Sequence, residues 1–217
     1  MKLYLLDLGE GLDDRTFREW SGIASEERLN ALPRFHFRAD AERTLAGEVL
    51  ARAALSSAEG IPPSEINFGR GPYGKPYASA SRGKSLPEFN ISHSERLVAC
   101  AVSARPIGVD AENIFSPDDA VLRRVCSPGE LRFVRGERRL TGGPPRITNG
   151  AAFTLIWTLK ESYLKALGTG LCDGLPGIDL AAFVVASAAE PLIFSFDGHL
   201  FHAFFHKNYA VSVCEKL

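Results

Sequence analysis

A long helical segment followed by a hairpin-like pair of strands occurs twice in this chain, and that repetition restricts the fold more than any other feature. Residues 38–58 have helical composition, with Ala41, Leu45, Val49, Leu50 and Ala53 at roughly helical spacing; Gly60 and Pro62-Pro63 end the segment. Phe89–Ser94 and Leu97–Val102 then read as two strands joined around Glu95-Arg96. In the second half, residues 150–167 are a strong helix candidate, closed by Gly168 and Gly170. Phe183–Ala186, Leu192–Phe196, Leu200–His206 and Ala210–Cys214 read as strands, with Asp197-Gly198 as a turn signal. The run Val98-Ala99-Cys100-Ala101-Val102 faintly echoes Ala210-Val211-Ser212-Val213-Cys214. A duplicated α+β unit would account for the pattern.

Between these landmarks, Leu3–Leu8 reads as a first strand and Phe17–Leu32 as short helical segments, one starting at Ser25. Phe68–Tyr77 reads as a loop rich in Gly and Pro, and Ile107–Glu112 as a strand. Pro117 and Ser127-Pro128 mark the starts of two short helices, and Thr141-Gly142-Gly143-Pro144-Pro145 is the clearest flexible connection. The 217 residues suffice for one large domain or two of about a hundred residues each. A net charge of −1 argues against a general nucleic-acid binder, while leaving room for a local basic pocket. Cys100, Cys126, Cys172 and Cys214 are scattered, which disfavours a zinc site or a disulfide framework. Asp7 interrupts the N-terminal apolar stretch too early for a signal peptide, and no apolar run is long enough to span a membrane. The expectation is a cytoplasmic protein with no membrane or nucleic-acid partner.

Chemistry concentrates in four short runs. In Ile107-Gly108-Val109-Asp110-Ala111-Glu112 the two carboxylates lie two apart on a strand, so they project from one face. As a solvated strand end they would mean little, but Ile107 and Val109 should be buried. Two like charges on one buried face then need a compensating cation or donor, which a magnesium ion bridging phosphate oxygens would supply. In Trp157-Thr158-Leu159-Lys160-Glu161-Ser162-Tyr163-Leu164-Lys165 the pair Glu161 and Lys165 stands one helical turn apart. Trp157, Glu161, Leu164 and Gly168 share a face, so an inward carboxylate there needs a partner. Asn90-Ile91-Ser92-His93-Ser94 offers hydroxyls and an imidazole for phosphate oxygens. Tyr73-Gly74-Lys75-Pro76 combines close backbone approach with a compact positive charge. Arg28 and Arg43 carry no specific signal alone.

In their order along the chain these four runs, with Arg43-Thr44-Leu45, resemble the surfactin-type 4′-phosphopantetheinyl transferase family across residues 25–172. The resemblance implies a pseudo-dimer of two α+β halves, residues 1–104 and 105–217, with the active site in the cleft between them. It implies transfer of the phosphopantetheine arm of coenzyme A to a serine of an apo acyl or peptidyl carrier protein, with release of adenosine 3′,5′-bisphosphate. By that resemblance Asp110, Glu112 and Glu161 of the C-terminal half would hold Mg²⁺ against the pyrophosphate. Lys165 and Lys160 would stabilise charge there, and Glu161 would help to deprotonate the serine. Arg28, Arg43 and His93 would meet the 3′-phosphate, with Ser92 nearby, and Tyr73, Gly74, Lys75 and Pro76 would border the nucleotide. Ala31 stands where some members carry another basic residue, so fewer contacts to the 3′-phosphate are expected. The protein is expected to act as a monomer. Two rivals stay open at this point: a silent carrier or coenzyme A binding module, and a metal-dependent phosphohydrolase. Arg123-Arg124 and Arg132–Arg139 form a candidate docking region for an acidic carrier, with a solvated helix face as the plainer reading.

Overall fold

In the computed structural model of the protein, the residues described are 1–71, 73–136, 148–170, 175–186 and 191–217. The expected connection at Thr141–Pro145, Cys172 and residues 137–139 of the candidate docking region lie outside them. The N-terminal half opens with strand β1 (Lys2–Asp7) and two short helices, α1 (Asp14–Ser21) and α2 (Glu26–Ala31). Asp13 and Ser25 cap these helices by accepting the backbone N–H of Thr16 and Arg28, as short polar residues do at helix starts. The long helix α3 (Arg38–Glu59) ends at Gly60, whose φ of 68° gives the left-handed turn that stops a helix. Hairpin β2 (Ile66–Arg70) and β3 (Pro76–Ala80) follows, then β4 (Glu88–Ser94) and β5 (Leu97–Ser103). The expected loop at Phe68–Tyr77 is therefore shorter than its composition suggested. Its ends pair as strands, Phe68 opposite Ala78 and Gly69 opposite Tyr77.

The C-terminal half repeats the plan. Strand β6 (Ile107–Asn113) leads into short helices α4 (Asp119–Val125) and α5 (Pro128–Val134) and then the long α6 (Asn149–Leu167). The expected starts near Pro117 and Ser127 are present, the second as a capping box in which Ser127 and Glu130 satisfy each other's backbone N–H groups. Helix α7 (Ala181–Ala186) precedes β7 (Leu192–Phe196), β8 (His199–His206) and β9 (Tyr209–Lys216). Helix α7 corrects the strand expected at Phe183–Ala186. Asp179 Oδ1 accepts the Ala181 N–H at its start, and Phe183 stacks on Phe194 at 4.6 Å, so side-chain packing overrides the local β propensity.

The strand order is β1-β5-β4 in the first half and β6-β9-β8-β7 in the second, all pairs antiparallel. In each, the first strand is followed by a long helix and a hairpin, and the last strand of that hairpin pairs with the first. The echoing runs Val98–Val102 and Ala210–Cys214 lie on those matching strands, β5 and β9. The faint repetition in the sequence is thus a repetition of topology.

Strand β5 is buried along its whole length because both its faces are covered. Cys100 and Val102 pack under α3 with Ala51, Ala54 and Leu55, whereas Leu97, Ala99 and Ala101 pack against Ile107, Val109, Ala111, Val211 and Val213 of the other half. The halves are therefore joined sheet to sheet through aliphatic residues, each fully buried Val or Ile worth about 1.5–3 kcal/mol as an upper estimate. Helix α6 is buried nearly all round, between its own sheet and the residues of α4 and α5. Cys100, Cys126 and Cys214 are buried free thiols. No helix among the described residues is long and apolar enough to cross a membrane.

Candidate active site between the two halves

Strand β6 has two unlike faces. Ile107, Val109 and Ala111 point into the aliphatic interface with β5. The alternate residues Gly108, Asp110 and Glu112 therefore point to the opposite face, under α6. Gly108 is what lets the helix come so close, since a Cβ there would sit 2.0 Å from the Ser162 carbonyl oxygen. With the backbones in contact, Glu161 and Lys165 reach the carboxylate pair. Lys165 Nζ donates to Asp110 Oδ1 at 2.6 Å and to Ser92 Oγ at 3.1 Å, and Ser92 Oγ donates to the same Asp110 oxygen at 2.8 Å.

A cavity of about 560 Å³ opens there. Arg28, Phe35, Thr44, Gly47, Glu48, Pro76, Ile91, Ser92 and His93 supply its N-terminal wall, and Asp110, Glu112, Trp157, Glu161 and Lys165 the C-terminal one. Cationic and hydroxyl groups come largely from one half, while the carboxylate trio comes from the other. Burial pushes Glu161 up to about 7, with the charges of Asp110 and Glu112 adding and Lys165 opposing. Glu112 is raised for the same first reason and then by Asp110, against hydrogen bonds from Ser94 and Trp157. Asp110 Oδ2 and Glu161 Oε1 are buried without a hydrogen-bond partner. Among the described residues no three or more His, Cys, Asp or Glu side chains are gathered closely enough to hold a metal ion. His93 stands open to solvent on one side, with its imidazole below the usual range because of desolvation, then Arg43, Lys165 and Arg28.

Of the residues expected at a site, Arg28, Pro76, Ser92, His93, Asp110, Glu112, Glu161 and Lys165 line this cavity. Arg43 is close enough to His93 to depress it, but its guanidinium is held by Asp40 and by Glu95 O at 3.1 Å. The others are placed elsewhere. Tyr73 is 78% exposed, and Gly74 forms the turn at φ 80°. Lys75 Nζ donates to the carbonyls of Ile107 at 3.2 Å and Ala166 at 3.4 Å, so it ties its hairpin to the C-terminal half.

Lys160 is the clear correction. Its side chain is fully buried on the far side of α6, where Nζ donates to Val125 O at 2.7 Å, Glu130 Oε2 at 2.6 Å and Leu175 O at 2.8 Å. All three ammonium protons are committed, because a buried charge must be paired. Lys160 braces the helices of its half instead of meeting a ligand.

A model of the 4′-phosphopantetheinyl transferase superfamily matches residues 106–214, and one of the 4′-phosphopantetheinyl transferase N-terminal region matches residues 14–105. The chain belongs to the 4′-phosphopantetheinyl transferase superfamily. A 4′-phosphopantetheinyl transferase of Bacillus subtilis is 35% identical over 173 residues, covering 79% of this chain and 72% of the relative. The transferase gsp of Aneurinibacillus migulanus is 32% identical over 160 residues, 74% of this chain and 62% of its own. Sfp of Bacillus subtilis strain 168 is 31% identical over 173 residues, 79% and 72% of the two chains.

This transferase-family chain also places at the cavity residues to which the motifs gave no role. Thr44, Gly47 and Glu48 share one face of α3 at spacings of three and four. That polar stripe was visible in the sequence beside the apolar one. Glu48 is buried and accepts from Ser25 N at 2.6 Å, Arg52 Nη2 at 2.8 Å and Arg28 Nε at 3.3 Å, which fixes Arg28 at the cavity wall. Arg70, with Arg28 and Ala31, borders a smaller cavity of about 110 Å³ that shares Glu48, Pro76 and Ile91 with the larger one.

Proposed function

We propose that the protein transfers the 4′-phosphopantetheine arm of coenzyme A to a serine hydroxyl of an apo acyl or peptidyl carrier protein, with Mg²⁺ as the required cation. The serine oxygen bonds to the phosphorus carrying the pantetheine arm. The bond from that phosphorus to the bridging pyrophosphate oxygen breaks, and adenosine 3′,5′-bisphosphate leaves with the electron pair. Asp110, Glu112 and Glu161 would hold the cation, although their side chains are not gathered into a ready-made metal site. Their hard oxygens suit Mg²⁺, and the unpartnered Asp110 Oδ2 and Glu161 Oε1 are acceptors in want of a positive charge. When bound, Mg²⁺ neutralises charge on the pyrophosphate oxygens.

The remaining work falls to side chains. Lys165, already beside Asp110, offsets negative charge developing at the phosphorus. Arg28 and His93, with Arg43 beyond them, would meet the 3′-phosphate, and Ser92 would hold Asp110 in register. Glu161 would take the serine proton, directly or through water, as the carboxylate nearest Lys165 on its helix.

The observation that carries this reading is the meeting of two walls in one cavity, Asp110, Glu112, Glu161 and Lys165 from the C-terminal half and Arg28, Ser92 and His93 from the N-terminal half. A test incubates the protein with coenzyme A, Mg²⁺ and a panel of apo carrier proteins and follows intact mass. Mass gain on a carrier serine is expected. Binding of coenzyme A without modification of any carrier would sink the transfer reading, and release of phosphopantetheine without a carrier would mark a phosphohydrolase.

A further inference from the structure

Strand β6 carries two of the three carboxylates, yet it is an edge strand: β9 pairs one side, and among the described residues no other strand of its sheet pairs the other. An unpaired edge leaves backbone N–H and C=O groups that must find partners or lie in water. Here side chains of the N-terminal half fill that role. Asn90 Oδ1 accepts the Val109 N–H at 2.9 Å, Ser94 Oγ accepts the Asn113 N–H at 3.2 Å, and Lys75 Nζ donates to Ile107 O at 3.2 Å. Asn90, Ser92 and Ser94 sit at alternate positions of β4, so they share one face and meet β6 as a row. Val109 and Asn113 bracket Asp110 and Glu112 on each side. Between them Ser92 Oγ donates to Asp110 itself.

We propose that Ser94, together with Asn90, is a positioning residue that pins the free edge of β6 and so sets the spacing of Asp110 and Glu112 for the cation. The strand of one half thereby dictates the ligand geometry of the other. This rests on the cation site proposed above, and outer-shell partners of metal-binding carboxylates commonly matter nearly as much as the ligands.

The test measures Mn²⁺ binding to the purified full chain by electron paramagnetic resonance, with no substrate present, for wild type, Ser94→Ala and Ser94→Thr. Loss of the hydroxyl is expected to weaken Mn²⁺ binding by about 10-fold or more. Ser94→Thr, which keeps the hydroxyl, should restore it, and circular dichroism of the cation-free proteins should be unchanged. Should Ser94→Ala fail to fold, Ser94→Cys replaces it, with similar volume and a weaker acceptor for the Asn113 N–H, and the same loss is expected. A wild-type protein that binds no Mn²⁺ would overturn the cation site and this inference with it. Wild-type binding that survives removal of the hydroxyl overturns this inference alone, as does a loss that threonine fails to repair.

Discussion

Glu48 and Glu161 are buried to a similar extent, each on the long helix of its half, and both line the same cavity. Their electrostatics are opposite. Desolvation pushes Glu48 up, but hydrogen bonds from Arg52 and Ser25 outweigh it and leave the carboxyl below its usual range. Glu161 has no such donors on Oε1 and two carboxylates as neighbours, so burial and repulsion carry it to about 7. One glutamate is a finished part of the scaffold, and the other is a group with unmet demand. The difference extends to the sheets. Aligning the echoing runs of β5 and β9 through the strand registers places Tyr4 where Asp110 stands, Leu6 where Glu112 stands and Lys2 where Gly108 stands. A shared plan supplied both halves with a strand beneath a long helix, and only one half placed carboxylates at these positions.

Replacing the charged positions is the most direct way to break this asymmetry. Glu161→Ala and Asp110→Ala should each abolish labelling of an apo carrier by a fluorescent coenzyme A while circular dichroism shows an intact fold. Labelling at wild-type rates by either variant would remove the cation site from the reading.

Next come the braces of the two long helices. Lys160→Met removes the charged partner of the fully buried Glu130, leaving it the backbone donors at Ser127 and Leu180, and should cost about 3–5 kcal/mol in urea unfolding. Arg52→Met should cost less, because Glu48 keeps a second cationic partner in Arg28 besides its donors from Ser25. Equal losses would mean that the two braces are equivalent. Gly108→Ala should destabilise by about 3 kcal/mol through overpacking against Ser162, whereas Lys2→Ala at the matching exposed position of β1 should be close to neutral.

The smallest expected effect is in the pH dependence of stability without divalent cations. Glu161 binds its proton more tightly folded than unfolded, so stability should rise as pH falls from about 7 towards the ordinary carboxylate range. Glu48 acts in the reverse sense: its contribution is complete above the ordinary range and lost as pH falls through its lowered value. Glu161→Gln should therefore flatten the rise below neutrality, leaving the part due to Glu112, which is also raised. Glu48→Gln should leave that rise intact, and urea midpoints across the pH series separate the two.

Much of this was legible in the sequence. Helical spacing located α3 and α6, short strand-like runs between turn signals located β4, β5, β6, β8 and β9, and two carboxylates on alternate strand positions had to share a face. Failures came where local composition pointed one way and packing another. The Phe183-Val184-Val185-Ala186 run has strand propensity, yet Asp179 caps it and Phe194 receives its aromatic ring, so it coils. Lys75 has the charge of a phosphate ligand, but the free edge of β6 offers it carbonyl oxygens.

The sequence by itself determined the two-half α+β plan and the identity of the acidic and basic groups available for phosphoryl chemistry. It did not determine which of two lysines on one helix would meet the cleft. Lys160 and Lys165 lie about 140° apart around α6, and that helix is covered on both sides, so periodicity cannot tell its faces apart. Only the docking of α6 on β6 at Gly108 and against α5 at Glu130 turned Lys165 towards Asp110 and sealed Lys160 in the interior.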